Sequence, residues 1–444
     1  MKLAEIFTDN MILQRDAQIV IFGEGCGKGE IEFCGKTTAF ESTEDFFYVY
    51  LSPEQAGGPY EMKVTLEGQV QIFKNILMGD VYIAAGQSNM ELPLRETVDI
   101  EWIEQPQVRM YTEPHEPDDN GNVILGDGVW KECRKENISQ FSAIGYDVAI
   151  QLQQQTGVPI GVISCNRGAS RVDAWTDPEL VMLPEYQEMI EKKHIDHRVF
   201  FFNQNSWLYL NKLLPIVPYG VKGVLWYQGE SNRRTEELMH YDTMLEIMID
   251  NWRALWSEDL PFFLVQCMPF DEAHAEWTDP AKGPEAAADW PLLRQKQAMA
   301  SKTIDKAYLA TLVDTGEENN IHPTKKHEIS RMLANGILHH LYGMEREYSG
   351  PVWDRAEQSG QEVRITFTHG KGLHFQDGEP RDIYIYDKQG VSYPAQCSIQ
   401  EDVLVIRKEP DVEVARVTMG YAEVPRHNLY NEAGFWASPF EIIV

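Results

Sequence analysis

The stretch Val81-Tyr82-Ile83-Ala84-Ala85-Gly86-Gln87-Ser88-Asn89-Met90 decides the fold of this chain. Its first five residues form an uninterrupted apolar run, which is typical of a strand buried on both faces of a sheet. Gly86 allows a tight turn, and Ser88 follows at the carboxyl end of the strand, where open α/β sheets bind their ligands. Serine in such a loop is often only a helix cap, but the position also suits a nucleophile. The turn differs from the Gly-x-Ser-x-Gly elbow of α/β-hydrolases, so a different serine-hydrolase layout is implied.

Four more apolar runs follow this strand and alternate with segments of helical periodicity. This alternation predicts an α/β domain, in which a parallel sheet carries helices on both faces. The predicted strands are 81–85, 158–165, 221–227, 261–267 and 307–313, and the predicted helices are 142–155, 236–256, 291–301 and 324–341.

Both ends of the chain consist of short strand-like runs, most of them separated by glycine-containing turns. This pattern is typical of small β-sandwiches. We therefore predict an N-terminal β-rich domain over residues 1–76, an α/β domain over 77–345 and a C-terminal β-rich domain over 346–444. The β-rich flanks are expected to pack against the central domain or to mediate self-association as a homo-oligomer.

The composition excludes several classes of partner. The chain has 39 Lys and Arg against 69 Asp and Glu, a net charge of −30, which disfavours nucleic acid and anionic membranes. No apolar run has the length of a membrane helix, and the N-terminal residues lack the apolar core of a signal peptide, which predicts a cytoplasmic protein. The six cysteines lack zinc-ligand spacing, and His194 and His197 have no identifiable third ligand, so we predict no metal site.

The loops after the predicted strands open on one edge of a parallel sheet. They contain Ser88, then Gly168, then Gln228, and finally His322. A hydroxyl, a backbone N–H, an amide and an imidazole are the parts of acyl-transfer catalysis. His322 is the best placed of the twelve histidines to act as a base, because its loop follows the last predicted strand and Pro323 favours entry into the next helix.

These loops resemble those of the SGNH-type hydrolases, specifically the sialate O-acetylesterase and carbohydrate acetylesterase group. The signatures are residues 86–90, 226–232 and 321–323, and further matches at 57–60, 79–82, 428–431 and 437–440 extend the resemblance over essentially the whole chain. It implies a flavodoxin-like three-layer α/β/α core. It also implies hydrolysis of an O-acetyl ester on a sugar through an acetyl-enzyme, without metal or cofactor.

Carried over by motif, Ser88 is the nucleophile and His322 the base. The oxyanion hole consists of the Ser88 N–H, the Gly168 N–H and the Gln228 side chain. The remaining candidates, all in the same loops, are assigned to substrate binding: Gln87, Asn89, Arg167, Arg171, Glu230 and Asn232.

The chain departs from the family pattern before the histidine, where an aspartate is common and this sequence has Asn319 and Asn320. An amide cannot stabilise an imidazolium as a carboxylate does. Three explanations follow: a Ser-His dyad oriented by a backbone carbonyl, which we favour, a substitute acid among Asp314, Glu317 and Glu318, or a weak or inactive enzyme.

The arginines of the loops favour sialic acid as the sugar. Its carboxylate needs local positive charge, which Arg167, Arg171, Arg233 and Arg234 would supply unless they pair with surface acids. In a rival interpretation, the enzyme deacetylates neutral xylan or mannan oligosaccharides on exposed aromatic rings, with Trp175, Trp207 and Trp277 as candidates unless they pack in the core. In a third, the chain is a carbohydrate-binding protein on a decayed esterase scaffold.

Overall fold

The computed structural model describes residues 1–118, 120–190, 201–204, 206–233, 235–271, 289–409 and 412–444. The chain forms two compact units. The first contains Met1–Gln187, Ile195–Gln228 and Ile247–Phe262, and the second contains Glu188–His194, Gly229–Glu246 and Phe263–Val444. The three predicted domains therefore do not coincide with the two compact units.

The first unit opens with two groups of strands. An antiparallel sheet has the order β1-β3-β6, while β4 pairs with β5 and β7, and β7 pairs with β8. The 18-residue β8 runs through position 76, so the predicted domain boundary falls within a continuous strand. The strands are β1 Lys2–Leu3, β2 Ile12–Gln14, β3 Ile19–Glu24, β4 Gly27–Phe33, β5 Lys36–Ser42, β6 Phe46–Leu51, β7 Gly57–Leu66 and β8 Gln69–Gly86.

The second half of β8 lies in the main sheet of this unit, which has the order β12-β9-β13-β8-β14. Within it β9, β13, β8 and β14 are parallel, and β12 is antiparallel at the edge. The elements are α1 Ser88–Glu91, β9 Gln105–Thr112, β10 His115–Pro117, β11 Val123–Leu125, β12 Trp130–Cys133, α2 Lys135–Ile138, α3 Ala143–Thr156, β13 Ile160–Asn166, α4 Pro178–Val181, α5 Pro184–Met189 and β14 Gly223–Tyr227.

Strand β9 is an addition to the five predicted strands. Its sequence contains Arg109, which looks like a surface residue but is only 2% exposed. The guanidinium donates to the backbone carbonyls of Asn10 (2.8 Å) and Asn75. These bonds satisfy the buried charge and tie the N-terminal strands to the parallel sheet.

Beyond β14 the helices follow the predicted periodicity, except that the predicted helix 236–256 consists of two helices. Strand β15 lies beside β16. The elements are α6 Thr235–Leu238, α7 Tyr241–Trp256, β15 Phe262–Val265, α8 Trp290–Thr303, β16 Ala307–Ala310 and α9 His327–Tyr342.

The C-terminal strands form two four-stranded sheets, β17-β18-β23-β22 and β21-β20-β24-β26, around a common apolar cluster. The side-chain amide of Gln295 in α8 donates to the Glu441 carbonyl and accepts the Glu441 N–H, both at 2.9 Å, so strand β26 packs against α8. The strands are β17 Val352–Ser359, β18 Glu362–Thr368, β19 His374–Phe375, β20 Ile383–Asp387, β21 Ser392–Pro394, β22 Gln396–Gln400, β23 Val403–Arg407, β24 Val414–Met419, β25 Leu429–Tyr430 and β26 Phe440–Ile443.

The predicted fold class is confirmed: the chain is mixed α/β with a central sheet and additional β-rich regions. Across the residues that the structure describes, no helix combines the length and the apolar character needed to cross a membrane.

Candidate active site

Ser88 is the first residue of α1, immediately after the buried end of β8. Gly86 makes this turn with a φ of 128°, and a Cβ on it would stand 2.1 Å from the carbonyl oxygen of Tyr227 in β14. Only glycine therefore fits between these two strands. The Gln87 N–H donates to the same Tyr227 carbonyl at 2.9 Å, which fixes the start of the Ser88 loop to the sheet.

Gly168 lies against Ser88. A Cβ built on Gly168 would be 3.4 Å from the Ser88 Cβ. The loop is held in place because the Arg167 N–H donates to the Gly86 carbonyl at 3.0 Å, and the Ser170 hydroxyl donates to the same oxygen at 3.2 Å.

Glu91 was not among the predicted site residues, yet its carboxylate binds the predicted oxyanion donor. Glu91 Oε2 accepts the Gly168 N–H at 2.6 Å. Glu91 is exposed as a residue, but neighbouring protein atoms partly desolvate its carboxyl and raise its pKa, while the Arg167 guanidinium and the Gly168 N–H oppose the rise. Glu91 lies one helical turn after Ser88, a spacing that would have been the only sequence signal for it.

Arg167 is anchored by a partly exposed ion pair that continues into a buried charge network. Its Nη1 lies 3.0 Å from Glu116, whose other carboxylate oxygen lies 2.7 Å from Lys212 Nζ. Lys212 is 1% exposed and also contacts Glu113 at 3.2 Å. Burial lowers the pKa of Lys212, but the two carboxylates outweigh it and the net pKa is raised. The Arg167 charge is therefore shared with acids of its own unit.

The other loop arginines that the structure describes are also engaged. Arg171 Nε lies 3.0 Å from Asp173, and its side chain is 12% exposed. In the second unit, Arg233 Nη1 donates to the Glu230 carbonyl at 2.7 Å, and its guanidinium lies over the ring of Trp290. Arg234 lies outside the described residues. The alternative that loop arginines pair internally thus holds for Arg167 and Arg171.

Gln228, the third predicted oxyanion donor, is fully buried at the end of β14. Its amide nitrogen donates to the Ser170 carbonyl at 3.0 Å and lies 3.4 Å from Gln87 Oε1. The side chains of Gln87 and Asn89 are likewise almost completely buried. The Gln228 amide therefore joins the end of β14 to the Ser170 loop and to the residue before Ser88.

Glu230 and Asn232 belong to the second unit, in a short turn after Gly229. Both side chains are buried, at 3% and 0% exposure. Asn232 Nδ2 lies 3.4 Å from a Glu237 carboxylate oxygen, and burial together with the Glu230 carboxylate raises the pKa of the Cys267 thiol. Because both side chains are buried, Glu230 and Asn232 would affect substrate binding by fixing the conformation of this turn.

His322 lies half-buried in the loop before α9, beside an open hollow of about 800 Å³ lined by residues 316–322. The Asn320 side-chain oxygen accepts the His322 backbone N–H at 3.0 Å. Burial lowers the pKa of the His322 imidazole, and the positive charge of Lys326, itself fully buried, lowers it further. A neutral imidazole is the form that a general base requires.

The three acids considered as substitutes for the missing aspartate make other contacts. Glu317 accepts the Thr324 N–H and hydroxyl, both at 3.0 Å, and Asp314 accepts the Gly316 N–H at 2.9 Å. Glu318 pairs with Arg426 at 2.7 Å. Asn319 and Asn320 are both exposed.

The described tryptophans proposed for sugar binding lie in the core. Trp175 is fully buried in a cluster with Trp226 and Trp252, and Trp207 is 6% exposed. Trp277, His194 and His197 lie outside the described residues. Over the described part of the chain, no three His, Cys, Asp or Glu side chains are grouped so as to hold a metal ion.

Comparison with known proteins gives consistent matches. A family model described as "Carbohydrate esterase, sialic acid-specific acetylesterase" matches residues 78–311, which include Ser88, Gly168 and Gln228 and end before His322. The chain is similar to the sialate O-acetylesterases of Homo sapiens and Mus musculus, each 21% identical over 84% of this chain and over 78% and 80% of the relatives. It is also similar to a solved carbohydrate acetylesterase from Xanthomonas citri, with 28% identity, a TM-score of 0.84 and 99% coverage of both chains.

Proposed function

Because the chain belongs to the sialic acid-specific acetylesterase family of carbohydrate esterases, and is thus a carboxylic ester hydrolase for O-acetylated sugars, we propose that it works through an acetyl-enzyme on Ser88. The observation that carries this proposal is the position of Ser88 at the end of β8 with Gly168 packed against it. The proposed substrates are O-acetyl esters of sialic acid, as the names of the family and of its relatives indicate.

In the proposed reaction, Ser88 Oγ attacks the acetyl carbonyl while His322 takes the hydroxyl proton. The tetrahedral oxyanion is held by the N–H groups of Ser88 and Gly168 and by Gln228. Collapse breaks the C–O bond to the sugar, whose oxygen receives the proton from His322. Water, deprotonated by His322, then attacks the acetyl-enzyme. Collapse breaks the bond to Ser88 Oγ, which receives that proton from His322, and acetate is released.

This scheme requires the Glu91 carboxylate to release the Gly168 N–H before the oxyanion forms. The lowered pKa of His322 supports its role as the base, because the imidazole stays neutral even at a pH somewhat below the ordinary pKa of histidine. The contacts of Asp314, Glu317 and Glu318 with other groups support a dyad, because these acids are engaged away from the imidazole.

One observation favours a neutral sugar as a second candidate substrate. The guanidinium groups of Arg167 and Arg171 are paired with Glu116 and Asp173, so a sialic acid carboxylate would have to compete with these acids. An acetylated xylan or mannan oligosaccharide needs no such cation. The rival interpretation loses two of its aromatic candidates, however, because Trp175 and Trp207 are buried.

The test is acetate release from 9-O-acetylated sialic acid and acetylated xylo-oligosaccharides, measured in parallel. We expect Ser88→Ala and His322→Ala to lower kcat/KM by about 10³-fold or more, and the exposed Ser52→Ala to leave it unchanged. Serine-dependent release from the xylo-oligosaccharide alone would keep the mechanism and replace the substrate. Full activity of Ser88→Ala would contradict the mechanism.

A further inference from the structure

The outer face of β6 carries three exposed aromatic rings. Phe46, Tyr48 and Tyr50 are 59%, 53% and 56% exposed, and they alternate with residues of this strand that are buried. Sheet faces that meet only water normally carry polar side chains, and contiguous exposed apolar surface commonly marks an interaction site. This stripe is therefore a feature that the esterase chemistry does not explain.

A groove of about 270 Å³ begins at this stripe, within the first unit. We name it the β6 groove. Tyr48 stacks on Phe22 with ring centres 6.1 Å apart and an angle of 20° between the ring planes. The groove is lined by Lys2, Leu3, Ala4, Glu5, Phe22, Gly23, Glu24, Phe46, Tyr48, His115, Leu214, Pro215 and Val217.

The polar lining contains a carboxylate oxygen that is buried without a hydrogen bond. Among the described residues, Glu5 Oε2 has no hydrogen-bond partner. His115 Nε2 lies 3.7 Å from this oxygen, which is too far for a hydrogen bond. His115 is held in place by its Nδ1, 2.5 Å from Glu113, and this bond raises the pKa of the imidazole. The side chains of Glu5 and His115, 31% and 18% exposed, place a carboxylate and an imidazole in the lining of the β6 groove.

We propose that the β6 groove binds a neutral glycan chain at a site separate from the Ser88 loop. A pyranose ring has an apolar C–H face that suits the electron-rich face of an aromatic ring, and hydroxyl edges that suit a carboxylate and an imidazole. Alternate residues on a strand stand about 7 Å apart, so successive rings of the stripe contact different sugars of one chain. Glu5 and Glu24, on a chain of net charge −30, disfavour an acidic polymer.

The choice of a neutral sugar as ligand rests on the second candidate of the proposed function, an acetylated xylan or mannan oligosaccharide, because an esterase that acts on such a chain gains effective substrate concentration from a second glycan site. The binding itself is independent of catalysis. It is therefore measured on a Ser88→Ala background with unacetylated oligosaccharides, so that loss of the esterase mechanism and loss of the glycan site give different results.

The experiment is a calorimetric titration of the full chain with xylohexaose and with mannohexaose. We expect Tyr48→Ala to weaken binding of at least one of them tenfold or more, and Glu5→Gln about fivefold. The matched control is Tyr384→Ala, which removes an exposed ring (37%) from a C-terminal strand and should leave the affinity unchanged. Hydrolysis of p-nitrophenyl acetate, measured with Ser88 intact, should be the same in all three variants, which also shows that they fold.

Two results would overturn the proposal. The first is a titration in which Tyr48→Ala and Glu5→Gln bind a hexasaccharide as tightly as the Ser88→Ala parent does, or in which the parent binds neither hexasaccharide. Either outcome would show that the groove is not a glycan site. Sedimentation velocity provides the second: a dimer that Tyr48→Ala abolishes, with sugar affinity unaltered, would make the stripe an interface between two copies of the chain.

Discussion

At the scale of single residues, the contact between Glu91 and Gly168 bears most directly on the proposed chemistry. The Gly168 N–H can stabilise an oxyanion only when it is not bound to a carboxylate, and here Glu91 binds it at 2.6 Å. A second negative charge close to the developing oxyanion also raises the barrier, by about 1 kcal/mol at 4 Å in a water-like medium. Glu91 is thus predicted to restrain the rate of the wild-type enzyme.

We predict that Glu91→Gln raises kcat/KM about fivefold at pH 8, because the amide keeps the shape of the side chain and removes its charge. Initial rates of acetate release check this, with Glu96→Gln, an exposed acid in the same segment, as the control. A rate tenfold lower than wild type would instead mean that the carboxylate holds the Gly168 loop in its working position.

Lys326 offers a second prediction, about pH. Its charge lowers the pKa of His322, so the acid limb of the kcat/KM profile should lie below the ordinary histidine value of about 6.5. Lys326→Met removes this charge, raises the pKa of His322 and should shift the limb to higher pH. The neighbouring exposed Lys325→Met serves as the control. An acid limb that stays in place in Lys326→Met, with the fold intact, would argue that another group titrates.

At the scale of elements, the turn from β8 into α1 depends on Gly86. A methyl group there would overlap the Tyr227 carbonyl, and the φ of 128° is unfavourable for any other residue. We predict that Gly86→Ala lowers the free energy of unfolding by roughly 3 kcal/mol or more and removes activity. The comparison is Gly157→Ala at the end of α3, where φ is 69° and the added Cβ has open space, so only about 1–2 kcal/mol is expected. Urea unfolding measures the loss of unfolding free energy in each variant. Equal losses would show that the structure around Gly86 shifts enough to remove the overlap.

The elements also show what could be read from the sequence. Each strand predicted from an uninterrupted apolar run, such as Val81 to Ala85, is a strand in the structure, because burial on both faces demands apolar side chains at every position. Strand β9 escaped notice because Arg109 interrupts its apolar pattern, and its charge is satisfied by carbonyls more than 30 residues away in sequence. A pattern read within one strand gives no information about partners so far away in the sequence.

The same limit applies to the candidate site. The positions of Ser88 and Gly168 followed from strand ends and from the family motif, and the structure places these two side by side. The Glu91 contact and the pairing of Arg167 with Glu116 could not be predicted, because each depends on which loop faces which after folding. The roles of Ser88, His322, Gly168 and Gln228 in catalysis remain predictions, which the variants above test.

At the scale of the whole molecule, the excess of acidic side chains has a physical consequence. The 69 acidic residues exceed the 39 basic ones by 30, so most of the excess carboxylates cannot find a cationic partner within the chain. Repulsion among them opposes the compact state. The repulsion is long-ranged in dilute buffer, where the Debye length is about 30 Å at 0.01 M, and it is largely confined to near neighbours at about 8 Å in 0.15 M salt.

We therefore predict that raising NaCl from 10 to 200 mM at pH 7 increases Tm by a few degrees, since about 1 kcal/mol shifts the Tm of a large domain by roughly 2–4 °C. Screening of exposed ion pairs such as Lys28 with Glu41 acts in the opposite direction, but surface pairs contribute at most about 1 kcal/mol each and often nothing. Choline chloride at the same ionic strength distinguishes the causes. An equal rise identifies screening of the net charge, whereas a rise with NaCl alone would mean specific cation binding, and a fall with both salts would mean that the ion pairs outweigh the repulsion.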